Sequence, residues 1–172
     1  MKSKKNLVFL GMMGAGKSSI GSILSKKLNI DFFDVDYEIE KKIGMSISKI
    51  FESKGEKYFR EIEELTTLKL LKKNKTVVSL GGGAFLNNKI KKEVLSNHIS
   101  FWLNWDIKTL VNRIKDSKKR PIANKMSAHE LTQLIKKRST IYSKAMYKIN
   151  CENLTKNEIV KNIIKIYDAN QT

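Results

Sequence analysis

The chain has 172 residues, 41% hydrophobic and 30% charged, a size and balance that fit one folded domain and exclude a disordered or fibrous polypeptide. Its single proline excludes a proline-rich stalk, its single cysteine excludes a disulfide framework or multi-cysteine zinc site, and no apolar run reaches the ~18 residues of a membrane span. Lys and Arg number 34 against 17 Asp and Glu, a net charge of +17. The lysines are scattered in pairs such as Lys26-Lys27, Lys72-Lys73 and Lys136-Lys137, with no interleaved aromatic residues, as solvated helix faces require and a nucleic-acid stacking platform does not. No nucleic-acid partner is expected, while a small anionic ligand suits the charge.

Lys2, Lys4 and Lys5 before the apolar stretch Leu7 to Ala15 imitate a short secretory signal. That stretch runs into Gly16-Lys17-Ser18-Ser19, whose chemistry explains its glycines better, so a cytoplasmic protein is expected and the triplets at Asn74 and Asn153 are chance glycosylation matches. Asn6 to Leu10 reads as a buried strand closed by Gly11, and Ile20, Ile23, Leu24 and Leu28 mark a helix from about Lys17. Ile30 to Val35 reads as a second strand. Ile47, Ile50 and Phe51 share a face of a short helix after Ser46, and Phe59, Ile62, Leu65, Leu68 and Leu71 mark a longer one to about Lys73. Thr76 to Leu80 is a strand stopped by three glycines, then come a helix near Asn88 to Leu95 and a strand Ile99 to Leu103. Asp106 caps the next helix, Asp116 to Lys125 is a polar loop, a helix runs from Ser127 to about Tyr147, and Thr155 with Glu158 forms a capping box for the last. Short apolar strands alternating with helices predict a parallel sheet covered on both faces, in one domain spanning 1–172.

Gly11-Met-Met-Gly-Ala-Gly-Lys-Ser18 satisfies every fixed position of a phosphate-binding loop, between a strand and an amphipathic helix. Glycines let successive N–H groups surround an anion, the helix start adds its positive dipole end, Lys17 reaches the outer phosphates, and the Ser18 hydroxyl suits Mg²⁺. The chain has no Asn-Lys-x-Asp guanine reader and little room for a motor, which leaves a small kinase whose acceptor other residues must define. Asp34 and Asp36 stand where the second strand ends, and strand alternation would place both on one face, beside the phosphates. They suit a metal and an acceptor hydroxyl, although Asp36 could equally cap the following helix. Arg60 and Glu63 lie three apart on a helix, either a surface bridge or a bidentate carboxylate reader with its anchor.

With Gly11 to Ser18 and Gly21, Asp34-x-Asp36, Ser46-Ile47-x-x-Ile50-Phe51-x-x-x-Gly55-Glu56-x-x-Phe59-Arg60-x-x-Glu63, Gly81-Gly82-Gly83-Ala84, Arg113 with Arg120-Pro121, and Arg138-x-x-x-Tyr142 in this order, the whole chain resembles the shikimate kinases. The resemblance implies a three-layer α/β/α fold around a central five-stranded parallel sheet of the phosphate-loop kinase type, with a mobile lid at 116–125. It implies phosphorylation of the 3-hydroxyl of shikimate by ATP with one Mg²⁺, carried out by a monomer. Gly14, Ala15, Gly16, Lys17, Ser18 and Ser19 would hold the ATP phosphates, Arg113 would stack near the adenine, and Arg120 would close from the lid. Ser18, with Asp34 through water, would hold Mg²⁺. Asp36 would orient or deprotonate the acceptor hydroxyl, Arg60 and Arg138 would clamp the carboxylate with Glu63 holding Arg60, and the Gly82 backbone would meet the ring. Lys17, Asp36 and Arg120 are thus the expected catalytic residues.

The chain departs from the family in carrying Thr140-Ile141 where a Pro-Leu pair is common, and in lacking a proline in the 151–156 loop. No adenine contacts are assigned to that loop, Cys151 is expected to be a packing residue, and Trp102 and Trp105 are assigned to packing as well. Gluconate and nucleoside monophosphate kinases share the fold with other acceptor contacts. A basic nucleic-acid-binding ATPase would instead turn over ATP without shikimate and bind nucleic acid with steep salt dependence.

Overall fold

A computed structural model of the chain describes residues 6–116, 123 and 125–170. Five short strands carry the apolar runs: β1 Leu7–Leu10, β2 Asp31–Asp34, β3 Thr76–Ser79, β4 Ile99–Asn104 and β5 Tyr147–Asn150. They form one sheet in the order β2-β3-β1-β4-β5, every pairing parallel. Helices α1 Lys17–Leu28, α2 Val35–Ile43, α3 Ile47–Leu71, α4 Asn88–Asn97, α5 Ile107–Lys115, α6 Ala128–Tyr142 and α7 Lys156–Ala169 connect and cover the strands. All four β1 residues are buried, as a central strand covered on both faces requires. This is the expected three-layer architecture.

Most boundaries follow local chemistry. Asp34 accepts a hydrogen bond from the Tyr37 N–H and so ends β2 by capping α2; Val35 begins that helix rather than ending the strand. Ser46 caps α3 and Asp106 caps α5, while Ser127–Glu130 and Thr155–Glu158 form reciprocal capping boxes for α6 and α7. The two helices expected after Ser46 abut as α3, broken only at Gly55, whose φ of 81° and ψ of 169° a side chain would disfavour.

Two expectations are corrected, and the packing role expected of Trp105 is borne out and extended. The helix expected to reach Tyr147 ends at Tyr142, and Tyr147–Asn150 is the fifth strand, an edge with only Ile149 buried. Leu65, assigned to the buried face of its helix, is 64% exposed, whereas Phe59, Leu70 and Leu71 are buried. Trp105 does more than pack, as the site shows.

Asn6 ties the base of the sheet together. Buried at the foot of β1, its Nδ2 donates to the carbonyls of Leu71 at 3.0 Å and Lys73 at 2.8 Å, and its Oδ1 accepts from Thr76 N at 3.2 Å and Oγ1 at 3.1 Å. One side chain thereby joins the end of α3, the start of β3 and β1. Replacing Asn6 by Ala strands several buried polar groups at once, at a cost of about 2–4 kcal/mol. Urea unfolding of Asn6→Ala is therefore expected to show a lower midpoint with an unchanged slope.

Candidate active site

The strands deliver their functional residues at their carboxyl ends, where parallel sheets bind ligands. A cavity of about 610 Å³ opens there, its lining including Lys17, Ser18, Asp34, Asp36, Ser79 and Gly82. After β1 the loop turns through Gly16, at φ 85°, into α1. Lys17 is buried, and its Nζ donates to the carbonyls of Gly11 at 2.9 Å and Met12 at 3.0 Å, which lays the ammonium along the loop. Ser18 and Ser19 are exposed on the first turn.

The Ser18 hydroxyl donates to Asp34 Oδ2, while Asp34 Oδ1 accepts from Tyr37 N at 3.1 Å. A hydroxyl and a carboxylate in direct contact beside a phosphate loop form an all-oxygen donor set, which fits a hard divalent cation. Asp36 lies one turn on, in the first turn of α2, and lines the same cavity. Strand alternation does not bring the two aspartates together, because the strand has already ended; the capped helix start does.

The acceptor side is built on Gly81-Gly82-Gly83, which follows β3. A Cβ on Gly81 would stand 2.7 Å from both Asp36 Oδ1 and Glu63 Oε1, and a Cβ on Gly83 would stand 2.6 Å from Arg60 Nη1. A Cβ at 82 would lie 3.7 Å from Arg138 Nη1. The triple glycine is therefore the surface on which four charged side chains close.

Arg60 donates from Nη1 to Glu63 at 2.7 Å and from Nη2 to Glu56 at 3.2 Å, with its guanidinium 5.1 Å from the Phe59 ring centre. Burial lowers the Arg60 pKa, but the charges and hydrogen bonds of Glu63 and Glu56 outweigh it and raise it overall. Burial pushes the Glu63 carboxyl upward; Arg60 and Arg138 pull it back only in part. Arg138 Nη1 reaches the Gly82 carbonyl at 3.5 Å, and its buried Nε has no hydrogen-bond partner among the described residues. That leaves one guanidinium donor unused beside the glycine turn.

The sequence reading missed three contributors. Tyr142 donates to the Gly82 carbonyl, and burial pushes its phenol up to about 12, so it stays a neutral donor. Glu56 shares Arg60 with Glu63. Trp105, at the end of β4, donates from its indole nitrogen to the Ala15 carbonyl at 2.9 Å, with the Arg113 guanidinium 3.8 Å from its ring centre. Tyr142 and Glu56 both stand in the motifs quoted above, where no role was assigned to them; Trp105 stands in none. Arg113 also donates to the Gly14 carbonyl at 3.3 Å. Arg120 and most of the expected lid, 117–122 and 124, lie outside the described residues. Cys151 is buried, and its thiol is pushed by burial to about 12, which fits a packing role.

A strand, phosphate loop and helix at one side of the cavity, with aspartates and paired guanidinium groups at the other, define a phosphate-loop kinase of small molecules. The chain belongs to the shikimate kinase family, whose model, described as Shikimate kinase, matches residues 13–168. Shikimate kinase of Thermodesulfovibrio yellowstonii is 38% identical over 165 residues, covering 95% of both chains. The structure of shikimate kinase from Acinetobacter baumannii in complex with shikimate superposes with a TM-score of 0.90 at 28% identity, over 98% of this chain and 96% of that one. The Aquifex aeolicus enzyme superposes with a TM-score of 0.86 at 38% identity, over 96% and 98%.

Gly81→Ala tests the close approach. The added methyl must displace Asp36 or Glu63, so turnover is expected to fall by about 10²-fold or more. Because 81 is not at positive φ, the thermal midpoint should move far less than activity does. Steady-state rates beside a thermal melt separate the two effects.

Proposed function

We propose that this chain transfers the γ-phosphoryl group of ATP to the 3-hydroxyl of shikimate, in aromatic amino-acid biosynthesis. The observation that carries the reading is the closure of Asp36, Arg60 and Arg138 on Gly81–Gly83 beside the phosphate loop. Shikimate offers one carboxylate and three hydroxyls on a ring, and two guanidinium groups with one aspartate match that pattern. Family membership likewise favours shikimate over gluconate, nucleoside monophosphates or a nucleic-acid-stimulated ATPase.

Gly14 to Ser19 present backbone N–H groups to the phosphates, and Lys17, already held along the loop, supplies positive charge to the outer oxygens. Arg60, held by Glu63 and Glu56, and Arg138, braced beside Tyr142, fix the carboxylate and so the ring. Asp36 accepts the hydrogen bond of the 3-hydroxyl and takes its proton as the oxygen–phosphorus bond forms and the bond to the ADP leaving oxygen breaks. Ser18 and Asp34 are the residues that would hold Mg²⁺, which when bound offsets charge on the phosphate oxygens. The same proposal places the enzyme in the cytoplasm as a single-domain monomer with no nucleic-acid partner. Among the described residues no helix is long and apolar enough to cross a membrane.

ADP release with Mg-ATP should saturate with shikimate and stay at background with gluconate or AMP; turnover on either of those instead would refute the acceptor. Asp36→Asn is expected to lower kcat by about 10²–10⁴-fold with ATP KM little changed. Arg138→Lys, which loses the planar fork, should raise shikimate KM by roughly 10- to 100-fold. The pH profile carries a further sign. Above its raised pKa Glu63 is anionic and holds Arg60; below it the acceptor is lost, so shikimate KM should climb on acidification earlier than an ordinary glutamate would allow. Glu63→Gln should flatten that acid limb.

A further inference from the structure

The sheet order places two groups of residues on opposite sides of the phosphate loop that follows β1. Asp36, Gly81–Gly83 and the guanidinium groups of Arg60 and Arg138 gather at β2 and β3, on one side of β1, whereas Trp105 and Arg113 come from β4 and α5, on the other. The resemblance to the shikimate kinases puts the nucleoside half of the donor on this second side, with Arg113 near the adenine.

There Trp105 makes two contacts at once. Its half-buried indole donates to the Ala15 carbonyl at 2.9 Å across 90 residues of sequence, fixing the phosphate loop from behind. Its ring face carries the Arg113 guanidinium at 3.8 Å, and Arg113 in turn donates to the Gly14 carbonyl at 3.3 Å. An exposed arginine is ordinarily free to sample many rotamers, and ordering it on binding lowers affinity. Here one face of a planar cation is already covered by an aromatic ring, which leaves the opposite face as a flat shelf.

We propose that Trp105 is a positioning residue for the nucleotide: it locks the carbonyl side of the phosphate loop and pre-orders Arg113, the arginine that the resemblance already sets near the adenine. This rests on the kinase reading above and adds a residue through which the donor site is set independently of the acceptor site. Trp105→Phe keeps a ring for Arg113 but loses the N–H; Trp105→Leu loses both.

Calorimetric titration with ADP alone, without shikimate, is the direct test. ADP affinity should fall about threefold in Trp105→Phe and about tenfold in Trp105→Leu, as expected for loss of a hydrogen bond and then also of a cation–ring contact. In steady state the ATP KM should rise in the same order, while kcat and shikimate KM stay within about twofold of wild type. Unchanged ADP affinity in both variants overturns the proposal, as does a parallel shift of kcat and shikimate KM, which would mark Trp105 as a packing residue only. Failure of the wild-type protein to bind ADP is a different outcome, since it would refute the kinase reading itself.

Discussion

Four charged side chains meet over a stretch of backbone that carries no side chains of its own. Asp36 and Glu63 close on Gly81 and Arg60 on Gly83 at separations a methyl group would violate, while Arg138 stands at ordinary contact distance from Gly82. Carboxylates of like charge sharing one small space repel unless cations intervene, and burial makes each uncompensated charge costlier. Arg60 meets both demands for Glu63 through a short ion pair and is itself backed by Glu56 and the Phe59 ring. This cluster is thus a charge network whose closest approaches depend on the absence of a Cβ at Gly81 and at Gly83.

The donor half uses a different device. The ammonium of Lys17 is buried, yet two loop carbonyls accept its protons, so a positive charge is held along the loop. Because β1 lies between β3 and β4, the loop after it can be braced by Trp105 from one side while the triple glycine faces it from the other. The net charge of +17 adds a field attractive to anionic nucleotide and acid alike, which bears on encounter rate more than on specificity.

What the sequence disclosed depended on whether the chemistry was local. The phosphate loop is legible because anion binding by backbone needs its glycines, lysine and serine at fixed offsets, and the caps at Asp106, Ser127 and Thr155 are legible because each acts within three residues. The strand β5 is not, since an edge strand that buries one residue in four leaves almost no alternation to read, and the apolar residues before it extend a helical pattern. Leu65 follows the three-residue spacing of the expected face, yet the buried stripe runs through Phe59, Glu63, Thr66, Thr67, Leu70 and Leu71 and leaves it in solvent. Asp36 was placed at the site by strand alternation and reaches it as a helical residue instead. Trp105 was assigned to packing alone, because its hydrogen-bond partner lies 90 residues away and only the fold brings them together.

The one departure from the family pattern that bears on the site strengthens this view. Where a proline would be common, the chain has Thr140-Ile141, and α6 runs from Ala128 through Tyr142. Arg138 and Tyr142 are then four residues apart on a regular helix and project from the same face. Both reach the Gly82 carbonyl, the tyrosine as a neutral donor and the arginine at the limit of hydrogen-bonding distance. The phenol and the guanidinium share that carbonyl, while the buried Arg138 Nε has no hydrogen-bond partner among the described residues. The pitch of the helix alone brings both side chains to one backbone oxygen.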